Sequence, residues 1–263
     1  MNIKDVLVAV DLDGTLLRDD KTVDPITVEA IHQYQKKGLR FTFATSRPLE
    51  VVKKYIDLLQ INLPVVVSSG TMITTLKEVI YIDELDSNLK NEILSFVKLD
   101  DVFFHCREGL VIGKRNKRNV RFEKECKGYY NPIDIYQKDL VNMKPCQTTI
   151  MQDEEGKYLE KVKELNQRYK FKYVATKDGV IVIVNEGMNK GQGVKNLAKL
   201  LSVDEDNVIV FGDDMNDVEM FECFSNSVVM GNSTEEVRKY AKYLTKTNEE
   251  NGIIYALKEI FNL

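Results

Sequence analysis

The chain has 263 residues, is 43% hydrophobic and carries a formal net charge of −4, so it can bury one large core or two smaller ones. The negative charge argues against bulk attraction to nucleic acid, and the absence of any run of about 18 apolar residues excludes a membrane span. The four cysteines have neither paired nor metal-ligand spacing, and the first residues lack the apolar stretch of a signal peptide, so we expect a cytoplasmic protein with reduced thiols.

The first 82 residues alternate between strand and helix patterns. The apolar run at 6–10 predicts a strand that is buried on both faces. Asp24 followed by Pro25 predicts the start of a helix, which Gly38 ends. Further patterns predict strands at 40–45 and 63–69, a helix at 49–59 and a short hairpin at 71–82. This alternation predicts a parallel sheet with right-handed crossovers.

The pattern changes between residues 83 and 187. Helix patterns are each followed by paired strand-like runs, which predicts an α+β layer with an antiparallel sheet. The predicted elements are helices at 86–98 and 154–168, strands at 102–106, 109–113, 171–176 and 179–184, and a hairpin turn at 176–179. The alternating pattern then resumes, with helices at 190–201, 215–222 and 252–261 and strands at 207–211 and 227–230. We therefore predict an α/β protein whose Rossmann-like core domain (1–82 and 188–263) is interrupted by an inserted α+β domain (83–187).

Two carboxylates, Asp11 and Asp13, follow the first predicted strand, with Gly14 and Thr15 directly after them. Because side chains alternate along a strand, both carboxylates point the same way at its carboxyl end, where open α/β sheets bind ligands. They would repel each other, so a divalent cation is a natural partner. An ordinary Asp-Gly turn would contain the same residues, and this segment alone leaves both interpretations open.

Polar residues also end the second predicted strand and begin the helix after the insert. A hydroxyl at Thr45 and the backbone N–H groups that follow, from Ser46 onwards, can hold phosphate oxygens at a strand's carboxyl end. Lys190 lies at a helix N-terminus, where the macrodipole favours negative charge, so it is best explained by an anion that it pairs with. Taken locally, an ordinary strand threonine and a solvated surface lysine are equally compatible with these residues.

The segment 212–217, Gly-Asp-Asp-Met-Asn-Asp, is a second acidic segment that indicates a site, after the pair Asp11 and Asp13. Three carboxylates and an amide gathered after a buried strand require a cation, and oxygen ligands suit Mg²⁺. A helix N-cap explains one of them, Asp214, but not all of them. Asp213, Asn216 and Asp217 are therefore candidate site residues.

These segments, read in chain order, resemble the four motifs of the haloacid-dehalogenase-like phosphohydrolases. The motifs are Asp-x-Asp-Gly-Thr-Leu from Asp11, Thr45, Lys190, and Gly-Asp-x-x-Asn-Asp ending at Asp217. The resemblance extends to the Cof-type members, whose large α/β cap is inserted between the second and third motifs. Ala-Thr-Ser-Arg at 44–47 is similar to their Ala-Thr-Gly-Arg, and 230–233 and 243–252 resemble their C-terminal segments.

Two departures from the Cof-type pattern lie beside the phosphate motifs. Ser46 replaces the usual Gly, and Ser68-Ser69-Gly70 stands where relatives usually carry Asn-Gly-Ala. Neither departure lies at Asp11, at Asp13 or within 213–217, so both are expected to act on specificity rather than on the chemical step.

The resemblance implies a role for each matched residue. Asp11 would be the nucleophile that forms an aspartyl-phosphate, and Asp13 would protonate the leaving oxygen and then activate water. Mg²⁺ would be held by Asp11, Asp213 and the backbone carbonyl of Asp13, with Asp217 supporting the metal from behind. The oxygens of the transferring phosphoryl group would be held by Thr45, Ser46, Lys190 and Asn216.

Cof-type caps supply substrate contacts, so the resemblance places specificity within residues 83–187. His105, Arg107 and Arg115 are the candidate cap residues. The stretch 113–121 is strongly basic, and it could contact a second anionic group of the substrate or a nucleic-acid phosphate. A solvated charged surface with Glu123 and Glu125 nearby is the favoured interpretation, and no aromatic residues are interleaved for base stacking.

The expected function is a Mg²⁺-dependent phosphatase for a small phosphorylated metabolite of the sugar phosphate, pyridoxal phosphate or flavin mononucleotide type. We expect no nucleic-acid or membrane partner, and a monomer or weak homodimer. Two alternatives stay open. A phosphomutase of the same superfamily would return the phosphoryl group and exclude water. A phospho-ligand sensor without turnover would be expected to lack Asp11, Asp13 or an acidic residue of 213–217, and all are present.

Overall fold

The computed structural model describes residues 2–126, 128–153, 155–176 and 179–261. Positions 177 and 178 of the predicted hairpin turn, and the predicted helix start at 154, lie outside the described residues. The strands are β1 (Leu7–Val10), β2 (Arg40–Phe43), β3 (Val65–Val67), β4 (Met72–Thr74), β5 (Val79–Ile82), β6 (Val102–Cys106), β7 (Gly109–Ile112), β8 (Ile133–Asp134), β9 (Pro145–Met151), β10 (Phe171–Ala175), β11 (Val180–Asn185), β12 (Val208–Gly212), β13 (Asn226–Val229) and β14 (Tyr243–Leu244). The helices are α1 (Pro25–Lys36), α2 (Leu49–Leu58), α3 (Ser87–Phe96), α4 (Lys117–Glu125), α5 (Lys157–Asn166), α6 (Lys190–Leu200), α7 (Val218–Cys223), α8 (Glu235–Arg238) and α9 (Gly252–Phe261).

Five strands form a parallel sheet in the order β14-β13-β12-β1-β2, which we call the core sheet. β1 occupies the interior because all four of its residues are apolar and buried. Val8 and Val10 pack in a cluster with residues of α1, α2 and α9, whereas Leu7 and Ala9 pack with residues of α6 and α7. Helices therefore cover both faces, as expected for a parallel sheet.

The third predicted strand is shorter than expected and diverges from the core sheet. β3 covers three residues and contacts β2 through an isolated parallel bridge between Ala44 and Val66. It then pairs antiparallel with β4, and β3, β4 and β5 make a small sheet of their own. Ser68, Ser69 and Gly70 all have positive φ angles, and this left-handed turn redirects the chain after β3.

Six strands form a second sheet in the order β10-β11-β9-β6-β7-β8, which we call the cap sheet. One face packs on α3 and α5, where Phe104, Ile150 and Ile183 join the helix residues in one apolar cluster. The opposite face, with Phe103 and His105, turns towards the carboxyl edge of the core sheet. The cap sheet thereby forms the second wall of the space above that edge.

The observed architecture confirms the predicted fold class, a parallel-sheet α/β core with an inserted α+β cap. The boundaries at 83 and 187 remain predictions. β9 and α4 were not predicted, and the helix predicted at 215–222 begins as a 3-10 turn, Met215–Asp217, before α7. Among the described residues, every helix is too short or too polar to cross a lipid bilayer.

Candidate active site

Three acidic side chains meet at the carboxyl edge of the core sheet. Asp11 follows β1 and Asp213 follows β12, and these parallel strands are neighbours with Val10 paired to Phe211. Asp11, Asp213 and Asp217 each place a carboxylate oxygen within 4.8 Å of the other two. We call these three residues the acidic cluster. Its position is the one expected for ligand binding by an open α/β sheet.

Lys190, the first residue of α6, is buried against the acidic cluster. Its Nζ donates to Asp11 Oδ1 and to Asp217 Oδ1, both at 2.7 Å, and to Asn216 Oδ1 at 3.2 Å. Burial alone would lower the pKa of Lys190, but the charges of Asp11 and Asp217 outweigh burial and raise this pKa above its ordinary value. Lys190 is therefore a buried cation, which excludes the alternative of a solvated surface lysine.

Asp217 supports the other members of the cluster. Its Oδ2 accepts the backbone N–H groups of Asp213 at 2.9 Å and of Asp214 at 3.2 Å, and its Oδ1 accepts from Lys190. Both carboxylate oxygens are thus engaged by donors, and the side chain is fully buried. Asp217 consequently fixes the loop after β12 and the position of the Lys190 ammonium.

Asp213 contacts Gly14 and Thr15, which follow the first strand. Thr15 Oγ1 donates to Asp213 Oδ1 at 2.8 Å. Gly14 adopts a φ of +77°, and a Cβ at this position would lie 2.2 Å from Asp213 Oδ2, so the close approach requires glycine. Burial first, and then the charge of Asp217, raise the pKa of Asp213 to about 7.

The acidic cluster could hold a divalent cation. When its three carboxylates and Lys190 are all ionised, the four groups carry a net charge of −2. Burial is the main cause that raises the pKa of Asp11, and the charges of Asp217 and Asp213 add to it despite the ammonium of Lys190. Uncompensated carboxylate oxygens of this kind are the donors that Mg²⁺ prefers. Asp11 and Asp213 are the better candidate ligands, because Asp217 already accepts three hydrogen bonds.

Asp13 lies in a different electrostatic environment from Asp11. Arg47 donates to both of its oxygens, from Nε at 2.6 Å and from Nη2 at 2.7 Å, and Lys21 Nζ donates at 2.8 Å. Burial raises the pKa of Asp13, but the hydrogen bonds and charges of Arg47 and Lys21 prevail and hold it well below its usual range. Asp13 is therefore ionised in this arrangement.

Thr45 and Ser46 lie at the carboxyl end of β2, beside Asp11. Thr45 Oγ1 accepts the backbone N–H of Arg47 at 3.2 Å, and this hydrogen bond leaves the hydroxyl hydrogen available to a ligand. Thr45 is buried, whereas Ser46 is partly exposed. The turn that begins at Ser68 lies next to them, since Ser69 N donates to Thr45 O at 3.1 Å.

A cavity of about 970 Å³ separates the core-sheet edge from the cap sheet. It brings together all the core-domain candidates except Asp217, which lies behind Asp213. The core residues that line the cavity include Asp11, Asp13, Thr45, Ser46, Lys190, Asp213 and Asn216. The cap residues that line it include Phe103, His105, Phe122, Gln147, Thr149, Val180, Val182 and Val184. A substrate in this cavity would contact both the edge of the core sheet and the cap sheet.

The three cap candidates have different locations. His105 lines the cavity and is buried, with Nδ1 2.8 Å from Ser68 Oγ. Arg107 lines a separate cleft of about 390 Å³, where its Nη1 donates to Val79 O at 3.3 Å. Arg115 is not among the described residues that line either space.

Several site residues were missed by the sequence analysis. Arg118 and Arg121 come from the basic stretch and line the cavity, although that stretch was interpreted as solvated surface. Arg47 was part of a quoted motif but received no role, and its contact with Asp13 had no signal in the sequence. Gln147 gave no signal either, because a single polar residue in a strand is common.

Relatives of this chain cover its full length. The family model for haloacid dehalogenase-like hydrolases matches residues 8–257. A Bacillus subtilis protein named 5-amino-6-(5-phospho-D-ribitylamino)uracil phosphatase is 28% identical, and the alignment covers 100% of both chains. The likeness therefore includes the cap as well as the four core motifs.

Solved structures share the architecture. A haloacid dehalogenase-like hydrolase from Bacteroides thetaiotaomicron has a TM-score of 0.83 and 22% identity, with 97% of this chain and 99% of that chain covered. A Thermotoga maritima protein has a TM-score of 0.81 and 21% identity, with 97% of each chain covered. At these identities the likeness shows the fold alone. The family model, by contrast, spans the motifs whose side chains line the cavity, and this chain belongs to the haloacid dehalogenase-like hydrolases.

Proposed function

We propose that this hydrolase is a Mg²⁺-dependent phosphatase that acts on a small phosphorylated metabolite through an aspartyl-phosphate intermediate. The position of Asp11 is the observation that carries the proposal. Its buried carboxylate opens onto the cavity, beside the ammonium of Lys190 and the carboxylate of Asp213. A nucleophile in this position can reach a phosphoryl group that Lys190 and a bound Mg²⁺ would hold.

In this proposal Asp11, Asp213 and the backbone carbonyl of Asp13 would hold Mg²⁺. When bound, the cation would offset the repulsion between the carboxylate nucleophile and an anionic phosphate ester. Lys190 supplies a second positive charge at Asp11, and Thr45, Ser46 and Asn216 supply hydrogen-bond donors around the cavity floor. Donors that are already in place before substrate binds reduce the reorganisation needed in the transition state, and the buried Lys190 and Thr45 are the best placed of this set.

The first chemical step is attack by an Asp11 carboxylate oxygen on phosphorus. The bond between phosphorus and the ester oxygen breaks, and Asp13 gives that leaving oxygen a proton. Arg47 and Lys21 keep Asp13 ionised in the arrangement described here, so the acid role requires the carboxyl group to turn away from them and to take up a proton from solvent before the attack. The alcohol then leaves with the proton, and Asp11 retains the phosphoryl group.

The second step returns the enzyme to its starting state. Asp13, now ionised, takes a proton from water, and the oxygen of that water attacks phosphorus. The bond between phosphorus and Asp11 breaks, which releases inorganic phosphate and frees the carboxylate. The ion pair of Asp13 with Arg47 matches the charge state that this step needs at its start.

The cavity and the relatives support the proposed substrate class. A cavity of about 970 Å³ between the core sheet and the cap sheet has room for a small metabolite. A full-length relative is named for a phosphorylated ribitylaminouracil, which is a substrate of this size. Both observations support a small phosphate monoester.

The test is phosphate release from a panel of phosphorylated metabolites, with Mg²⁺ or with EDTA. Asp11→Asn should lower kcat by at least about a thousandfold, because the amide is a poor nucleophile. Asp57→Asn makes the same change at an exposed position of α2 and should leave release unchanged. Release that persists in EDTA or in Asp11→Asn contradicts the proposal.

The same panel separates the alternatives. A phosphomutase would require a bisphosphate activator and would release little inorganic phosphate. A sensor would bind a phosphorylated ligand, measured by calorimetry, without any release from the wild type.

A further inference from the structure

Arg47 lies between two carboxylates, one that follows a strand of the core sheet and one on a helix of the cap. Its Nε and Nη2 donate to the two oxygens of Asp13, and its Nη1 donates to Glu125 Oε1. The side chains of Arg47 and Glu125 are only 8% and 9% exposed, so solvent screens these charges little. Each of the three guanidinium nitrogens therefore has a carboxylate oxygen as its partner.

Glu125 belongs to the cap, although the groups that hold it belong to the core. It is the last residue of α4, which lies between β7 and β8 of the cap sheet. Its backbone carbonyl accepts from Lys54 Nζ at 2.6 Å, and its Oε1 lies 3.3 Å from the hydroxyl of Tyr55, both on α2. Arg47 and Asp13 line the cavity, whereas Glu125 is not among the described residues that do so. An influence of Glu125 on a substrate must therefore act through Arg47.

These contacts form a closed ring that includes Asp13. Tyr55 Oη donates to Lys21 O at 2.9 Å, and Lys21 Nζ donates to Asp13 Oδ1 at 2.8 Å. The hydroxyl of Tyr55 has one hydrogen, and its shorter contact is with the carbonyl of Lys21, so Arg47 is the main partner of the Glu125 carboxylate. Glu125 is the one member of this ring that comes from the cap. The ring thus links α4 to the side chain of the proposed general acid.

The acid step of the proposed function breaks the contact between Asp13 and Arg47. The carboxyl group of Asp13 has to turn towards the leaving oxygen, and Arg47 then loses the partner of its Nε and Nη2. A buried cation that is left without a counter-charge is strongly destabilising. Glu125 prevents this, because its carboxylate stays on Nη1 while Asp13 turns. The free energy needed to release Asp13 is consequently smaller with Glu125 in place.

We propose that Glu125 is a positioning residue for the acid step, which retains Arg47 when the carboxyl group of Asp13 turns to the leaving oxygen. Without this carboxylate, Arg47 would have Asp13 as its one carboxylate partner among the described residues and would hold it in place. The proton still passes from Asp13 to the leaving oxygen, and none passes to or from Glu125. This inference rests on the proposed function and adds a cap residue that acts on the chemical step without touching the substrate.

The test compares two esters of similar size whose leaving oxygens differ in their need for a proton. Benzyl phosphate releases an alkoxide that must be protonated, whereas 4-nitrophenyl phosphate releases a phenolate that is stable without a proton. Because kcat/KM covers the steps up to alcohol release, it isolates the acid step from the later attack of water. Glu125→Gln should lower kcat/KM about tenfold for benzyl phosphate and less than about twofold for 4-nitrophenyl phosphate. An equal change for both esters, or no change for benzyl phosphate, overturns the inference.

Lys54→Met is the matched control for the docking of α4. It removes the hydrogen bond from Lys54 Nζ to the backbone carbonyl of Glu125 but leaves the carboxylate of Glu125 unchanged. Partial unfolding lowers both kcat/KM values equally, so their ratio reports the acid step alone. Lys54→Met should keep this ratio within about twofold of the wild-type ratio. If it shifts the ratio as much as Glu125→Gln does, the docking of α4 is responsible and the inference fails.

Asp13→Asn separates this inference from the proposed function. Removal of the acid itself should lower the first-turnover rate of benzyl phosphate by about a hundredfold or more, and that of 4-nitrophenyl phosphate far less. If Asp13→Asn slows both first turnovers alike, Asp13 is not the acid, and the proposed mechanism fails together with the inference. If Asp13→Asn is selective for benzyl phosphate and Glu125→Gln is not, the proposed function stands and the positioning role alone fails.

Discussion

Asp213 illustrates how a single residue makes the stability of the fold depend on pH. Its pKa is raised to about 7, first by burial and then by the charge of Asp217. In the unfolded chain the same carboxyl titrates near 3.8, so the folded state holds an extra proton between about pH 4 and about pH 7. The stability that this group contributes is present at low pH and is lost as the pH rises through about 7. In the proposed function, a bound cation would replace that proton.

Magnesium should therefore stabilise the protein more at high pH than at low pH. Thermal unfolding should show a Tm increase of roughly 5 °C or more when Mg²⁺ exceeds its Kd about a hundredfold near pH 8, and a much smaller increase near pH 5. Asp213→Asn should remove most of this pH-dependent increase. An increase of equal size at both pH values would contradict the assignment of Asp213 as a ligand.

The sequence predicted the identity of most core-site residues but not their electrostatic partners. Lys190 was placed near an anion because of its position at a helix N-terminus, and the structure buries it against Asp11. Arg47 could not be assigned to Asp13, because that contact depends on how β1 and β2 align in three dimensions. Local patterns identify which residues end a strand, whereas the direction of each side chain depends on the packed neighbours.

At the scale of elements, α4 shows where sequence patterns are insufficient. The segment Lys117–Glu125 has few apolar residues, and only Asn119 and Phe122 are buried. Such a helix depends on tertiary contacts for its stability. Here Phe122 packs with Val51 of α2 and with Phe103 of β6. β9 was missed for a related reason, because Gln147, Thr148 and Thr149 interrupt its apolar run.

The contact between α4 and the core suggests a test at Glu125. Arg47 Nη1 donates to Glu125 Oε1, and Lys54 Nζ donates to Glu125 O at 2.6 Å. Glu125→Gln removes a largely buried carboxylate from Arg47, although Asp13 still pairs with it. We expect the free energy of unfolding in urea to fall by about 2 kcal/mol.

Glu123→Gln provides the control on the same helix. Glu123 is exposed, so its replacement should change the free energy of unfolding by less than about 0.5 kcal/mol. Equal effects of the two substitutions would indicate that helix charge, rather than the contact with Arg47, determines the stability of α4.

At the scale of the whole molecule, the two larger sheets have separate main apolar clusters, although Cys146 of β9 packs in the core-sheet cluster and Val51 of α2 packs with a small cluster of cap residues. The cluster of the cap sheet runs from Leu85 to Ile183 and contains no residue of the core sheet. The cavity lies between these two sheets and is lined by residues of both. The alternation of strand and helix patterns was sufficient to predict this division. The shape of the cavity was not predictable, because it depends on how the two layers face each other.

The separate clusters predict that residues 83–187 fold without the core domain. The isolated segment should show a mixed α/β circular dichroism spectrum and a cooperative thermal transition, because its own cluster is nearly closed to solvent. Phe104 and Phe103 lie on opposite faces of β6, and only Phe104 belongs to that cluster. Phe104→Ala should therefore lower the stability of the segment by about 3–5 kcal/mol, and Phe103→Ala by clearly less. A segment without a cooperative transition would show that the cap depends on the contact between α4 and α2, and that the boundaries at 83 and 187 do not delimit a domain.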